Sequence, residues 1–200
     1  MDFDFRALVV IMMSAVLVNN YVLRQFLGVC PFLGVSKDLK SSVGMGLAVI
    51  FVMFLAASVT WPIQVFLLDT NGLDFMQTVV FILVIATLVQ LVEVVLKRYI
   101  PALFASLGVY LPLMTTNCAV LAVTISNISK GYTYIEALVS ALGAGLGFFL
   151  AMVIFTGVRG HTESADPPEA FKGVPITLIS AAILSLAFFG FEGVIENLFR

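Results

Sequence analysis

Apolar stretches of twenty residues or more recur along this chain with almost no charge inside them. Nothing constrains a fold more, because a backbone in hydrocarbon must satisfy its own hydrogen bonds. Charged and turn-forming residues divide the sequence into six candidate spans: Ala7 to Val35, Val43 to Leu68, Met76 to Leu96, Pro101 to Ile125, Tyr134 to Val158 and Val174 to Val194. Composition agrees, with 61% hydrophobic residues, 11% charged residues and a mean hydropathy of +1.12, far from a soluble domain. The longest connection, Arg159 to Lys172 with Asp166, Pro167 and Pro168, is too short for an aqueous domain. The reading is an all-α integral membrane protein of six transmembrane helices in a single membrane domain, 1–200, and soluble chemistry belongs to partners.

The formal charge of -2 says little, since orientation follows where Lys and Arg fall. Six spans place Lys37, Lys40, Lys97, Arg98, Arg159 and Lys172 on one side and Arg6, Lys130 and Arg200 on the other, with Arg24 inside the first span. The basic side is expected to be cytoplasmic, which leaves both termini outside. The opening Met1-Asp2-Phe3-Asp4-Phe5-Arg6 lacks the basic n-region of a cleaved signal, so the first segment is expected to be retained.

That first segment is too long for one straight helix: from Ala7 to Val35 it would run about 43 Å against a hydrocarbon core of about 30 Å. It contains Asn19, Asn20, Arg24, Gln25, Gly28 and Cys30-Pro31, polar groups and helix breakers that lipid penalises on a regular helix. A discontinuous helix is expected. The fourth segment behaves alike, with Gly108 and Pro112 ahead of Thr115-Thr116-Asn117-Cys118.

The halves are similar beyond these breaks. Cys30-Pro31-Phe32-Leu33-Gly34-Val35 lies over Cys118-Ala119-Val120-Leu121-Ala122-Val123, and Gly44-Met45-Gly46-Leu47 over Gly143-Ala144-Gly145-Leu146, small residues that let helices approach closely. A duplicated three-helix unit, 1–98 and 99–200, would place its second copy upside down, giving two inverted repeats with helices 1 and 4 discontinuous and meeting near the centre.

Cys30 and Cys118 are the only cysteines, and each sits in one of the repeat-related breaks. Helical rise puts Cys30 about 10 Å from the cytoplasmic surface at Lys37 and Cys118 about 18 Å from the outer surface at Lys130, similar levels in the core. Singly, each would be an ordinary small apolar side chain; matched, they read as thiolate ligands of a metal centre. Two thiolates do not complete a four-cysteine site, and the only histidine, His161, is remote in the loop after span five. Further ligands must come from a second copy or a related chain.

The stretches Val18-Asn19-Asn20-Tyr21-Val22-Leu23, Phe26-Leu27-Gly28-Val29-Cys30-Pro31-Phe32-Leu33-Gly34-Val35-Ser36-Lys37 and Leu111-Pro112-Leu113-Met114-Thr115-Thr116-Asn117-Cys118-Ala119-Val120 resemble the A-subunit family of the bacterial Rnf complex, an ion-translocating ferredoxin:NAD+ oxidoreductase. The likeness runs on through Gly44-Met45-Gly46-Leu47-Ala48 and Leu186-Ala187-Phe188-Phe189-Gly190-Phe191 and so covers nearly the whole chain. The equivalent subunit of the Na+-translocating NADH:quinone reductase is the alternative within this likeness, and Asn19-Asn20 and Thr115-Thr116-Asn117 resemble the Rnf A subunit more. The resemblance implies a bacterial inner-membrane subunit of a multi-subunit enzyme, working with B, C, D and G subunits and paired with a homologous E subunit of opposite orientation. It further implies that Cys30 and Cys118 supply half the ligands of an intramembrane [2Fe-2S] cluster that carries electrons across the membrane.

No NAD, ferredoxin or flavin motif occurs in these 200 residues, so no complete substrate site is expected here. Asn117 is a candidate hydrogen-bond donor to cluster sulfur or, equally, a helix cap. Candidates for ion coupling are Asn19, Asn20, Arg24, Gln90 and Glu93, though Glu93 stands four residues before Lys97 and suits an i,i+4 pair. The competing classes are a secondary transporter with a midplane substrate site, which the inverted repeat would also build, and a purely structural scaffold. Neither explains paired cysteines.

Overall fold

The computed structural model describes residues 5–36, 39–72, 74–99, 117–164, 168 and 171–190, and every element among them is helical. Helix α1 (Phe5–Met13) widens into a π-helical turn, Ser14–Val18, and stops; after an irregular stretch the chain resumes as α2 (Val29–Val35). Helix α3 (Leu39–Ile63) continues through a second π-helical turn, Gln64–Leu68, and ends in the short turn Asp69–Asn71. There follow α4 (Gln77–Tyr99), α5 (Cys118–Ser129), α6 (Tyr134–Ser164) and α7 (Val174–Phe189).

Among the described residues three stretches are long and apolar enough to cross a membrane: Leu39–Leu68, Gln77–Tyr99 and Tyr134–Thr162, of 30, 23 and 29 residues. Even the shortest runs about 35 Å, more than a hydrocarbon core of about 30 Å. Helices α5 and α7 are apolar but shorter. The expected break in the first segment is present. The first part of the fourth segment, with Gly108, Pro112, Thr115 and Thr116, lies outside the described residues, as do Lys37 and everything beyond Gly190.

Two expectations change. Pro31 does not break a helix: it is the third residue of α2, where its missing N–H has no intrahelical acceptor to lose, so it favours the helix start. The span expected to end at Val158 continues to Ser164, which moves Arg159 and His161 from a loop into α6. A charge can be carried there because the Arg159 guanidinium, 8% exposed, donates to the Leu33 carbonyl at 3.1 Å and to Ser36 Oγ at 2.8 Å. It thereby satisfies the C-terminal end of α2, where carbonyls are otherwise unpaired and a cation is favoured.

The centre of the molecule is α3 against α6. Ser42 and Thr156 share a buried hydroxyl–hydroxyl bond of 2.8 Å, a Cβ on Gly46 would collide with the Phe149 ring, and a Cβ on Gly145 would lie 3.0 Å from Ile50 Cα. Numbers rise on one helix as they fall on the other, so the pair is antiparallel. Small residues matter here because lipid is as apolar as leucine, leaving close backbone packing to hold the helices together. Gly143 and Gly147, one turn apart on α6, receive the first helix: added Cβ atoms would meet Met12 O at 3.0 Å and Val16 O at 3.1 Å. Met45, Val49, Met53, Phe81, Phe148, Met152 and Phe155 fill the buried core around this contact.

Candidate metal centre

The break after α1 begins where the π-helical turn ends. Asn19 N–H reaches back to the Ser14 carbonyl at 2.7 Å, and Asn20, 2% exposed, takes over the backbone that the helix has released. Its Oδ1 accepts from the Val22 and Leu23 amides at 3.0 and 3.4 Å, while its Nδ2 donates to Gly147 O at 2.8 Å and Val16 O at 3.3 Å. Both donors and the acceptor oxygen are occupied, so Asn20 ties the broken helix to α6 and has no free group for an ion. Ser185 Oγ of α7 donates to the Leu23 carbonyl at the same break.

The neighbouring ion-coupling candidates are joined in a similar way. Arg24 Nη1 donates to Asn19 Oδ1 at 2.7 Å, its guanidinium lies 6.0 Å from the Phe189 ring centroid, and Asn19 Nδ2 donates to Ser14 Oγ at 3.0 Å. Arg24 therefore has a partner within the chain that the sequence does not reveal. Gln90 is exposed on α4, and Glu93, half-buried, precedes the exposed Lys97 by one helical turn.

Beyond Arg24 the backbone turns through strained ground. Phe26 has φ 54°, unusual for a bulky residue, and Gly28 has φ 82°, a left-handed conformation that suits glycine. Space also demands glycine at 28: a Cβ would lie 3.0 Å from the Phe148 ring, 3.1 Å from Asn117 Oδ1 and 3.3 Å from Ala119 Cβ. Through this close approach the two breaks meet. The Gly28 N–H donates to Cys118 Sγ at 2.8 Å across a separation of 90 residues.

Each cysteine stands in the first turn of its helix. Cys118 is the first residue of α5, whose N-terminal dipole favours negative charge. Cys30, the second residue of α2, is exposed, and Cys118 is partly so; both are free thiols. The structure thus brings the Cys118 sulfur to the backbone two residues before Cys30 and leaves Cys30 at the surface. No group of three or more His, Cys, Asp or Glu side chains suited to a metal occurs among the described residues. His161 is exposed on α6.

Asn117 caps α5: its Oδ1 accepts from Ala119 N–H at 3.0 Å. Its Nδ2, buried with the rest of a side chain only 5% exposed, has no hydrogen-bond partner among the described residues. Buried unpaired amide donors are rare enough to demand a cause.

Sequence reasoning missed three contributors. Gly147 carries a signal that was available, its i,i+4 spacing from Gly143. Arg159 and Ser185 carried none, because what they bond to lies more than a hundred residues away in sequence.

Comparison with known proteins identifies the family. Residues 8–195 match the family model described as Rnf-Nqr subunit, membrane protein. The A subunit of the Na+-translocating ferredoxin:NAD+ oxidoreductase complex from Acetobacterium woodii is 52% identical over 186 residues, covering 93% of this chain and 97% of the relative. The A subunits of the ion-translocating oxidoreductase complexes of Syntrophotalea carbinolica and Serratia proteamaculans are 51% and 49% identical, over 95% and 92% of this chain and 98% and 95% of theirs. With one family model spanning almost every residue and half the positions identical to these relatives, the chain belongs to the Rnf-Nqr family of membrane subunits.

Proposed function

We propose that this chain is the A subunit of an ion-translocating ferredoxin:NAD+ oxidoreductase of the bacterial inner membrane, and that Cys30 and Cys118 supply two of the four thiolates of an intramembrane [2Fe-2S] cluster. The other two come from a homologous E subunit of opposite orientation, within a complex that also holds B, C, D and G subunits. The observation that carries this reading is the bond from Gly28 N–H to Cys118 Sγ, which unites the two cysteine-bearing breaks.

The residues fit half of such a centre. Each cysteine stands in the first turn of a helix that starts at one of the two meeting breaks, and Cys30 is exposed where a second chain can reach it. Asn117, next to Cys118 in sequence, carries a buried amide donor with no acceptor among the described residues. A [2Fe-2S] cluster supplies a one-electron site within lipid, where a charge is otherwise expensive. The rest is done by the chain. Gly28 leaves room for the two breaks to approach, and Asn20 and Arg159 hold α1 and α2 in place on α6.

The repeat also gains support. The α3–α6 contacts come in matched pairs: Gly46 faces Phe149 as Gly145 faces Ile50, and the offset relating the pairs is the one that lays Gly44 over Gly143. A pseudo-two-fold axis between the two helices produces that pattern. This pattern supports the reading of six spans in two inverted units, 1–98 and 99–200, to which the loop charges add both termini outside.

Thiol alkylation of the intact complex tests the metal reading. Cys30 and Cys118 should resist a small membrane-permeant maleimide until iron is chelated, then react. Equal labelling before and after chelation contradicts cluster ligation and returns the chain to the transporter or scaffold class.

A further inference from the structure

We infer that the Asn117 carboxamide is a built-in donor to sulfur at the metal centre and helps set its reduction potential, an inference that rests on the cluster reading above. The amide's orientation is fixed by its own network. Because Oδ1 accepts from Ala119 N–H, the opposite atom must be the NH2 group, and that group is left buried with no acceptor among the described residues. Desolvating such a donor without a partner is unfavourable. A cap alone does not require it, since serine, threonine or aspartate would cap α5 through an oxygen and bring no orphaned NH2.

Place identifies the missing acceptor. The carboxamide is packed on Gly28, with Oδ1 3.1 Å from where a Cβ on Gly28 would stand, and the Gly28 N–H is already directed at Cys118 Sγ. Asn117 is also the immediate neighbour of Cys118. The Gly28 backbone N–H is engaged with Cys118 Sγ, whereas Asn117 Nδ2 reaches no acceptor among the described residues, that sulfur included, and is left for sulfur that the centre brings, a weak acceptor as a thiol and a good one as a metal-bound thiolate or sulfide. Adding one electron to the centre increases negative charge on sulfur, so donors stabilise the reduced form and raise the potential. No proton need move. Asn117 acts on the potential, and Asn20, whose groups are all engaged within the chain, does not.

The test uses the whole purified complex with wild-type chain, Asn117→Ser and Asn117→Ala. Serine retains an oxygen for the cap but has no amide to reach sulfur. Both variants should keep the cluster signal and shift its EPR-monitored midpoint to more negative values. The shift expected is about tenfold in the reduction equilibrium, or about 59 mV for one electron. Wild type labelled with 15N-asparagine should show a hyperfine coupling from nitrogen to the reduced centre, absent in Asn117→Ser. An unshifted midpoint in Asn117→Ser, or no asparagine coupling in wild type, overturns the inference while leaving the cluster in place. Wild-type complex without any signal from this subunit overturns the cluster reading itself, and the inference with it. Should a variant fail to assemble, the wild-type labelling result decides alone.

Discussion

Asn20 and Asn117 are two buried asparagines, 2% and 5% exposed, each at a point where a helix begins or ends inside an apolar molecule. Asn20 spends every donor and acceptor on backbone within the chain; Asn117 spends only its oxygen. The same residue type therefore serves two ends. A fully satisfied amide holds a break in shape, whereas a half-satisfied one leaves a donor without a partner among the described residues. Sequence alone presents both as polar residues in lipid, and bonding separates them.

Stability measurements would sharpen this contrast. Asn20→Ala should have the largest effect, because the Val22 and Leu23 amides and the Gly147 contact lose their partner in a region without water. A loss of about 3 kcal/mol is expected, read as a lower thermal unfolding midpoint of the detergent-solubilised complex. Gly28→Ala should cost about 2 kcal/mol from its left-handed backbone alone, and should displace Cys118 as well, seen as a weakened cluster signal. Gly147→Ala should cost about 1.5 kcal/mol by overpacking against Val16, Ala15 and Asn20, lowering the midpoint and leaving the cluster potential where it was. Asn117→Ala should cost least, about 1 kcal/mol for the cap, because the mutation also removes the orphaned donor. If Asn117→Ala destabilises as much as Asn20→Ala, the contrast between the two asparagines fails.

Much of the candidate site is legible in the order of residues along the chain. Polar residues and Gly28 inside an overlong span announce the first break, and the small-residue pairs announce where α3 and α6 touch. Those signals are local, or periodic along one helix. What escapes is non-local: the Gly28 amide finding Cys118, the Arg159 guanidinium closing α2, and the Ser185 hydroxyl on Leu23 all join distant segments. The end of span five is misplaced for a related reason. A buried arginine looks like a loop residue until its carbonyl and hydroxyl partners are known. Pro31 reads as a breaker because proline's effect depends on its position in the helix, and that position is set by Gly28 just ahead of it.

The most direct measurement of the account's central claim is iron and acid-labile sulfide content, with EPR after reduction, on the complex purified with wild-type chain and with Cys30→Ser or Cys118→Ser. The account predicts that a [2Fe-2S] signal present in wild type disappears in both variants while the complex still assembles, each losing two irons and two sulfides. An unchanged signal and unchanged iron in either variant would contradict it, and would return that cysteine to the packing of a helix start.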